Sequence, residues 1–360
     1  MRTDPTLVTS PKLAPHIGFG ALALRPSGSG VQTYVRELLN ALDLLLPAAA
    51  LRASVQHDAT GELPCRVAPH VRPVADGVRR MLYAKMPVWG VDLFHSLDVD
   101  VPVLCSGVTV STFHDLAVFD TPWAFGKYRA AGERALLRDA MRRADVLVAV
   151  SNFTAERLHA LCGREAVVTP LAPAVWAKPP TPEKVRDIRR AYRLPERFVL
   201  QVGTVEPRKD VALVADACRI LDIPLVLAGA GSTGPDAPAG SIGLGYVPTA
   251  HLPALYAAAS AVAYASRYEG FGLPPLEAMA CGGAVVTSAV GALPDIVDDG
   301  ALLVTEHTET SWTAALRVVV HDTDTADALR ARGREVAATS TWRRTAELTR
   351  DAYRIAGLRI

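Results

Sequence analysis

Between Ala261 and Gly283 the chain reads AVAYASRYEGFGLPPLEAMACGG. An apolar run from Ala261 to Ala265 gives way to a glycine-bearing turn, a Pro-Pro step and a segment that Gly282 and Gly283 can end. That order reads as a buried strand handing over to a helix. Open α/β sheets keep their ligands at such carboxyl ends, so this stretch predicts both a fold class and the place of a site.

The local chemistry narrows the ligand. Pro274 and Pro275 suit the first turn of a helix about seven residues long, where a missing N–H costs nothing. Its amino end, with the N–H groups of Phe271, Gly272 and Leu273, offers donors and a positive dipole end to an anion such as phosphate. Gly270 and Gly272 let the backbone approach a ligand closely. Glu269 and Glu277 stand eight residues apart, a separation of at most about 12 Å along a helix. Carboxylates are poor neighbours for phosphate and good acceptors for paired hydroxyls. A nucleotide-sugar, with hydroxyls at each end and phosphates between, satisfies the whole set.

The string E-G-F-G-L-P-P-L-E-A-M-A-C-G from Glu269 resembles the E-x7-E signature of the retaining family 4 glycosyltransferases of GT-B fold. It most resembles their mannosyl- and rhamnosyltransferase-like branch. The resemblance extends over most of residues 100 to 350 and weakens before them. It implies an α/β protein of two Rossmann-like domains facing a central cleft, with a C-terminal helix crossing back to the first domain.

Length and composition agree with that expectation. A chain of 360 residues, half of them hydrophobic, suits two domains. A formal charge of +1 gives no global pull toward nucleic acid. Five cysteines scattered without a C-x-x-C pair point to reduced thiols in a cytoplasmic protein. The opening MRTDPTLVTSPK lacks the basic flank and apolar core of a signal peptide. No apolar run reaches the eighteen or so residues of a membrane span. Arg79, Arg80 and Lys85 form a basic cluster, read as a solvated face, with a phosphate or the inner membrane surface as the alternative partner of the N-terminal domain. The D-x-D pairs Asp98/Asp100 and Asp322/Asp324 read as surface carboxylates rather than metal ligands, so no metal and no cofactor is expected.

Taken in order, residues 1–172 read as the acceptor-side domain. Gly28 and Gly30 form a loop before an amphipathic helix, and family members carry such a loop near donor and acceptor. The segment from Pro47 to Val91 is the least readable, with two or three short elements. A strand from Val108 to Phe113 ends in His114-Asp115-Leu116, and the resemblance places His114 beside the reacting centre of the donor sugar. Ser151 and Asn152 suit a helix N-cap. Prolines crowd the stretch around 173–182, read as the interdomain linker. The second domain, 183–340, opens on a strand ending at Gly203, followed by Glu206-Pro207-Arg208-Lys209. In the family the Arg and Lys of this loop grip the diphosphate of the donor, a planar fork beside a point charge. Gly229 marks another close-approach loop, and the turn at Tyr246 and Val247 lies beside the nucleotide base in relatives. Residues 341–360 are the returning helix.

The resemblance implies a Leloir enzyme that moves a sugar from a nucleotide-diphosphate sugar to an acceptor hydroxyl with retention. Glu269 would hold donor-sugar hydroxyls and Glu277 the ribose. GDP-mannose and dTDP-rhamnose lead among donors, with UDP-sugars open. The acceptor would be a saccharide, a lipid-linked glycan or a small molecule in bacterial glycan, glycolipid or natural-product synthesis. The same fold also serves sugar-nucleotide epimerases and nucleotide-sugar-binding proteins without catalysis, which form the alternative reading.

Overall fold

The computed structural model describes residues 14–360 apart from Ser27 and Ser29. The opening segment judged to lack a signal peptide lies outside the described residues. Thirteen strands build two sheets among the described residues. The first sheet contains β1 (His16–Gly20), β2 (Ala50–Gln56), β3 (Val67–Arg72), β4 (Leu93–Ser96), β5 (Val108–Phe113), β6 (Val146–Ala149) and β7 (Ala166–Val168). Its order is β3-β2-β1-β4-β5-β6-β7. The second contains β8 (Val199–Val202), β9 (Leu225–Ala228), β10 (Ile242–Gly243), β11 (Ala261–Tyr264), β12 (Val285–Ser288) and β13 (Leu302–Val304), in the order β10-β9-β8-β11-β12-β13.

Every pairing is parallel. Parallel strands covered by helices on both faces carry continuous apolar runs rather than alternation, which is why LVLA of β9 and AVAY of β11 are buried at each position. The strand order reverses between β1 and β4 in one sheet and between β8 and β11 in the other. A crevice opens outside the carboxyl ends at such reversals. The loops that leave β5, β6 and β11 at those ends meet one another, so the two sheets face across a shared cleft.

The segment from Pro47 to Val91 holds four elements rather than two or three: β2, a 3-10 turn at His57–Glu62, β3 and a helix at Gly77–Ala84. β3 lies at the sheet edge and is exposed at most positions, so it lacks an apolar run. Its Pro69 is tolerated because an edge strand need not donate on both sides. Three helices end the chain, and the last, Trp342–Ile355, packs on the helix Gly30–Leu45 of the first domain and on β6 and β7. Its Tyr353 hydroxyl lies 2.8 Å from His95 Nδ1, and Thr112 Oγ1 bridges His95 Nε2 to the Tyr34 hydroxyl at 2.8 Å on each side. Burial, with His114 nearby, pushes His95 down to about 3, so this linking imidazole is neutral.

Of the two D-x-D pairs, one departs from expectation. Asp100 is buried, not a surface carboxylate, and Arg80 Nη2 lies 3.7 Å from both Asp98 and Asp100. Asp322 is exposed as expected, but it is occupied as the N-cap of the helix Thr323–Thr339, accepting from the N–H groups of Asp324 and Thr325.

Candidate active site

Beyond β8 the chain makes a 3-10 turn at Pro207–Lys209. Proline presets the dihedral of that turn and turns both cations back toward the strand end. Arg208 Nη1 donates to the Tyr268 carbonyl at 2.8 Å and Nη2 to Glu206 Oε1 at 2.9 Å. Glu269 Oε2 lies 3.7 Å from Nη1. Burial works against the charged guanidinium, and Glu269, Asp115 and Glu206 together outweigh it, raising its pKa above the ordinary arginine value. Lys209 Nζ folds over Gly203, only 3.0 Å from where a Cβ there would sit. Asp210 accepts from Arg267 Nε at 2.9 Å and from His307 Nε2 at 2.8 Å, tying together the loops that follow β8, β11 and β13.

After β11, Ser266 Oγ donates to Glu269 Oε1 at 2.7 Å, so one oxygen of this carboxylate is fixed while the other faces Arg208. The helix Leu273–Ala280 then starts from Gly272. The two glutamates meet different surroundings. Glu277 is buried against the connection between the domains, where the Ala174 N–H reaches it, and beside Glu37 of the first domain. Burial is the main cause that pushes it up to about 8, Glu37 adds to it and the Ala174 hydrogen bond opposes it. Glu37 Oε1 itself accepts from the Val175 N–H at 3.2 Å. The structure brings Glu269 to Arg208 and turns Glu277 toward the connector.

From the first domain, His114 reaches the cleft at the end of β5. Its Nε2 lies 2.9 Å from the Leu97 carbonyl, and a carbonyl only accepts, so Nε2 carries the hydrogen. The ring stands edge-on to Tyr34 with centroids 4.7 Å apart. A Cβ on Gly270 would fall 2.1 Å from the His114 carbonyl oxygen and 2.6 Å from Asp115 Cβ. Gly270 therefore permits the approach of the two domains, and the space beside it is filled by protein rather than left to a ligand. Ser151 Oγ, which caps its helix by accepting from the Thr154 N–H, donates to the Gly270 carbonyl at 2.6 Å. The Leu116 N–H donates to the Tyr268 hydroxyl at 3.3 Å.

The remaining candidates fall around the same cleft. Gly30 opens the helix Gly30–Leu45 with Leu273 Cδ2 3.9 Å from its Cβ position, so the glycine loop meets the start of the Pro-Pro helix. Gly28 is exposed beside Arg36 and Thr33. At Gly229 a Cβ would lie 2.3 Å from the Gly203 carbonyl oxygen, packing the loops after β8 and β9 together. The Tyr246 ring is exposed, whereas Val247, Phe271 and Leu273 are buried.

Residues 185–336 match the family described as glycosyl transferases group 1. The O-antigen chain mannosyltransferase B of Escherichia coli is 30% identical over 309 residues, covering 79% of this chain and 81% of that protein. The chain is a group 1 glycosyltransferase. Among solved structures, sucrose-phosphate synthase from Thermosynechococcus elongatus superposes with a TM-score of 0.74 at 20% identity, over 95% of this chain and 98% of that one. The Anabaena protein Alr3699/HepE, solved with UDP-glucose, gives 0.72 at 16% identity, over 95% of this chain and 100% of that one. The fold is GT-B, with two parallel sheets facing a cleft and the last helix returned to the first.

Several groups that shape the cleft of this glycosyltransferase carry no recognisable sequence signal. Tyr268 and Ser266 sit inside the central string but carry no motif, and the contacts they make come from residues 116 and 269. Glu37 lacked any signal, because its partners are in the connector. Glu133, on the helix Lys127–Arg143, is raised by burial first and then by Asp115, and it lies close enough to Arg208 to feel its charge. In the sequence it is one charge among many along that segment.

Proposed function

We propose that this glycosyltransferase moves a mannosyl or related hexosyl group from a nucleotide-diphosphate sugar, GDP-mannose before dTDP-rhamnose, to a hydroxyl of a saccharide acceptor with retention of configuration. The observation that carries the reading is the half-buried Arg208, backed by the Tyr268 carbonyl and Glu206 and set beside Lys209 and Glu269 at the carboxyl ends of β8 and β11. Two cations there suit the developing charge on a departing nucleoside diphosphate. The name of the Escherichia coli relative favours mannose, and the UDP-glucose held by the Anabaena protein favours a nucleotide-sugar in this cleft.

In the proposed step the bond from the sugar C1 to the phosphate oxygen breaks, and the acceptor oxygen bonds to C1 on the same face. The acceptor proton passes to the departing phosphate, whose charge Arg208 and Lys209 balance without a metal. Glu269, with one oxygen fixed by Ser266, holds sugar hydroxyls. His114 stands by the reaction centre, and Glu277, whose surroundings keep a proton on it near neutral pH, holds the ribose. Calorimetric titration in EDTA with GDP, UDP and dTDP tests the reading. Tight binding of one nucleotide supports the donor site and fixes its base, and binding of none overturns it. Proton NMR of the first product decides the anomeric outcome.

A further inference from the structure

Asp210 holds a conformation that its place in the chain does not favour. It closes the turn Pro207–Lys209 with φ 39° and ψ 51°, in the left-handed region where a Cβ is crowded. It also stands just before the helix Val211–Ile220, where an aspartate ordinarily caps, yet its side chain makes no cap bond. The carboxylate is turned away instead. Its Oδ2 accepts from Arg267 Nε at 2.9 Å, lies 2.7 Å from Arg267 Nη2 and accepts from His307 Nε2 at 2.8 Å. A crowded backbone and a forgone cap persist only where surrounding contacts hold them, and such places point to function.

What these contacts hold is the pair of cations. The Arg267 N–H donates to the Arg208 carbonyl at 2.8 Å. One residue thus fixes the chain before Lys209 by its backbone and after it by its side chain. Lys209 Nζ makes no hydrogen bond or ion pair with the described residues and folds over Gly203, 3.0 Å from the position of a Cβ there. An amine without a side-chain partner owes its place to the backbone that carries it. Arg208, by contrast, has the Tyr268 carbonyl and Glu206 for its own.

We propose that Asp210, clamped by Arg267 and His307, is a positioning residue that sets Lys209 against the phosphate joined to the donor sugar. The inference rests on the proposed donor site and adds to it residues that act through Lys209. Glu269, assigned to the sugar hydroxyls, lies 3.7 Å from Arg208, so the cations stand at the sugar end of the nucleotide. The phosphate they meet there is the one that a nucleoside monophosphate lacks. Loosening the clamp therefore weakens the binding of a nucleoside diphosphate and spares that of the monophosphate.

Calorimetric titration of the full chain, comparing GDP with GMP, UDP with UMP and dTDP with dTMP, is the test. Asp210→Asn keeps a residue that tolerates the left-handed backbone and removes the charge, and Asp210→Gly relieves the backbone and removes the side chain. Each should weaken the diphosphate about tenfold, the scale of one charge-assisted hydrogen bond, and the monophosphate by less than about twofold. In a Lys209→Met background Asp210→Gly should cost no further diphosphate affinity, because its effect passes through the amine. His307→Gln leaves the turn itself unaltered and should give the same pattern at about threefold. It carries the test if circular dichroism shows that the Asp210 variants do not fold. Equal losses for monophosphate and diphosphate, or an undiminished effect of Asp210→Gly in the Lys209→Met chain, would make Asp210 a structural strut and overturn the proposal. If wild type binds a diphosphate and the variants bind it as tightly, the clamp alone is overturned. If wild type binds none of these nucleotides, the donor-site reading fails and the clamp falls with it.

Discussion

The Arg208 guanidinium is oriented by the Tyr268 carbonyl and Glu206 in the structure as it stands. A preset charge spends no reorganisation energy when the transition state forms. Arg208→Ala should therefore lower kcat by about a hundred- to a thousandfold, read from initial rates at saturating donor, and undiminished turnover would remove Arg208 from the mechanism. Glu277 makes a prediction of the opposite kind. Its folded pKa, about 8, lies above the unfolded carboxyl value, so the folded chain holds a proton that the unfolded chain releases. Stability from this group is present below the unfolded pKa and is lost as pH rises toward 8. Glu277→Gln should thus gain on wild type by up to about 1.4 kcal/mol for each pH unit across that window, measured as urea midpoints at several pH values. A constant offset across the window would show that the carboxyl does not titrate there. The sequence made the place of Arg208 legible, since a cation just past a buried strand can only lie at the sheet's carboxyl end. The burial of Glu277 was illegible, because it depends on Ala174 and Glu37, which the chain brings in from far away.

At the scale of elements, the loop after β11 decides how the two sheets meet. The Gly270 carbonyl accepts from Ser151 and Thr154, and its missing Cβ leaves room for the His114 carbonyl. In Gly270→Ala the added methyl would overlap backbone rather than a flexible side chain, so the loop or the end of β5 must shift. A cost of about 1–3 kcal/mol is expected, with a loss of transfer activity as His114 moves. An unchanged urea midpoint would mean that the loops part easily. Short apolar runs such as β6, β9 and β11 could be read as strands because both faces are covered. β2 and β3 could not, since Arg52, His70 and Arg72 lie in them and β3 is exposed at the edge. Glycines in the central string were read as room for a ligand. Only the fold shows that His114 occupies the space at Gly270 and the Leu293 side chain the space at Gly272.

Across the whole molecule, one continuous cluster of buried apolar side chains includes Ile17 and Leu51 of the first sheet, Leu200 and Val262 of the second, and Trp342 and Tyr353 of the returning helix. The helix is the part that makes the seam covalent with the second domain while packing in the first. Trp342 sits where the pieces join: its Nε1 donates to the Pro173 carbonyl at 2.9 Å, and its ring lies 6.3 Å from that of Tyr34. A core that crosses the seam couples the domains, so heating should give a single calorimetric transition. Trp342→Ala removes a large buried side chain and leaves the Pro173 carbonyl without its donor, a loss of about 3–5 kcal/mol. That loss falls on the coupling rather than on either sheet. The variant is therefore expected to melt in two steps, the first domain ahead of the second because it loses the helix that covers Tyr34 and His95. A variant that still melts in one transition at the wild-type temperature would show that the seam contributes little and that the domains are held by the cleft loops instead.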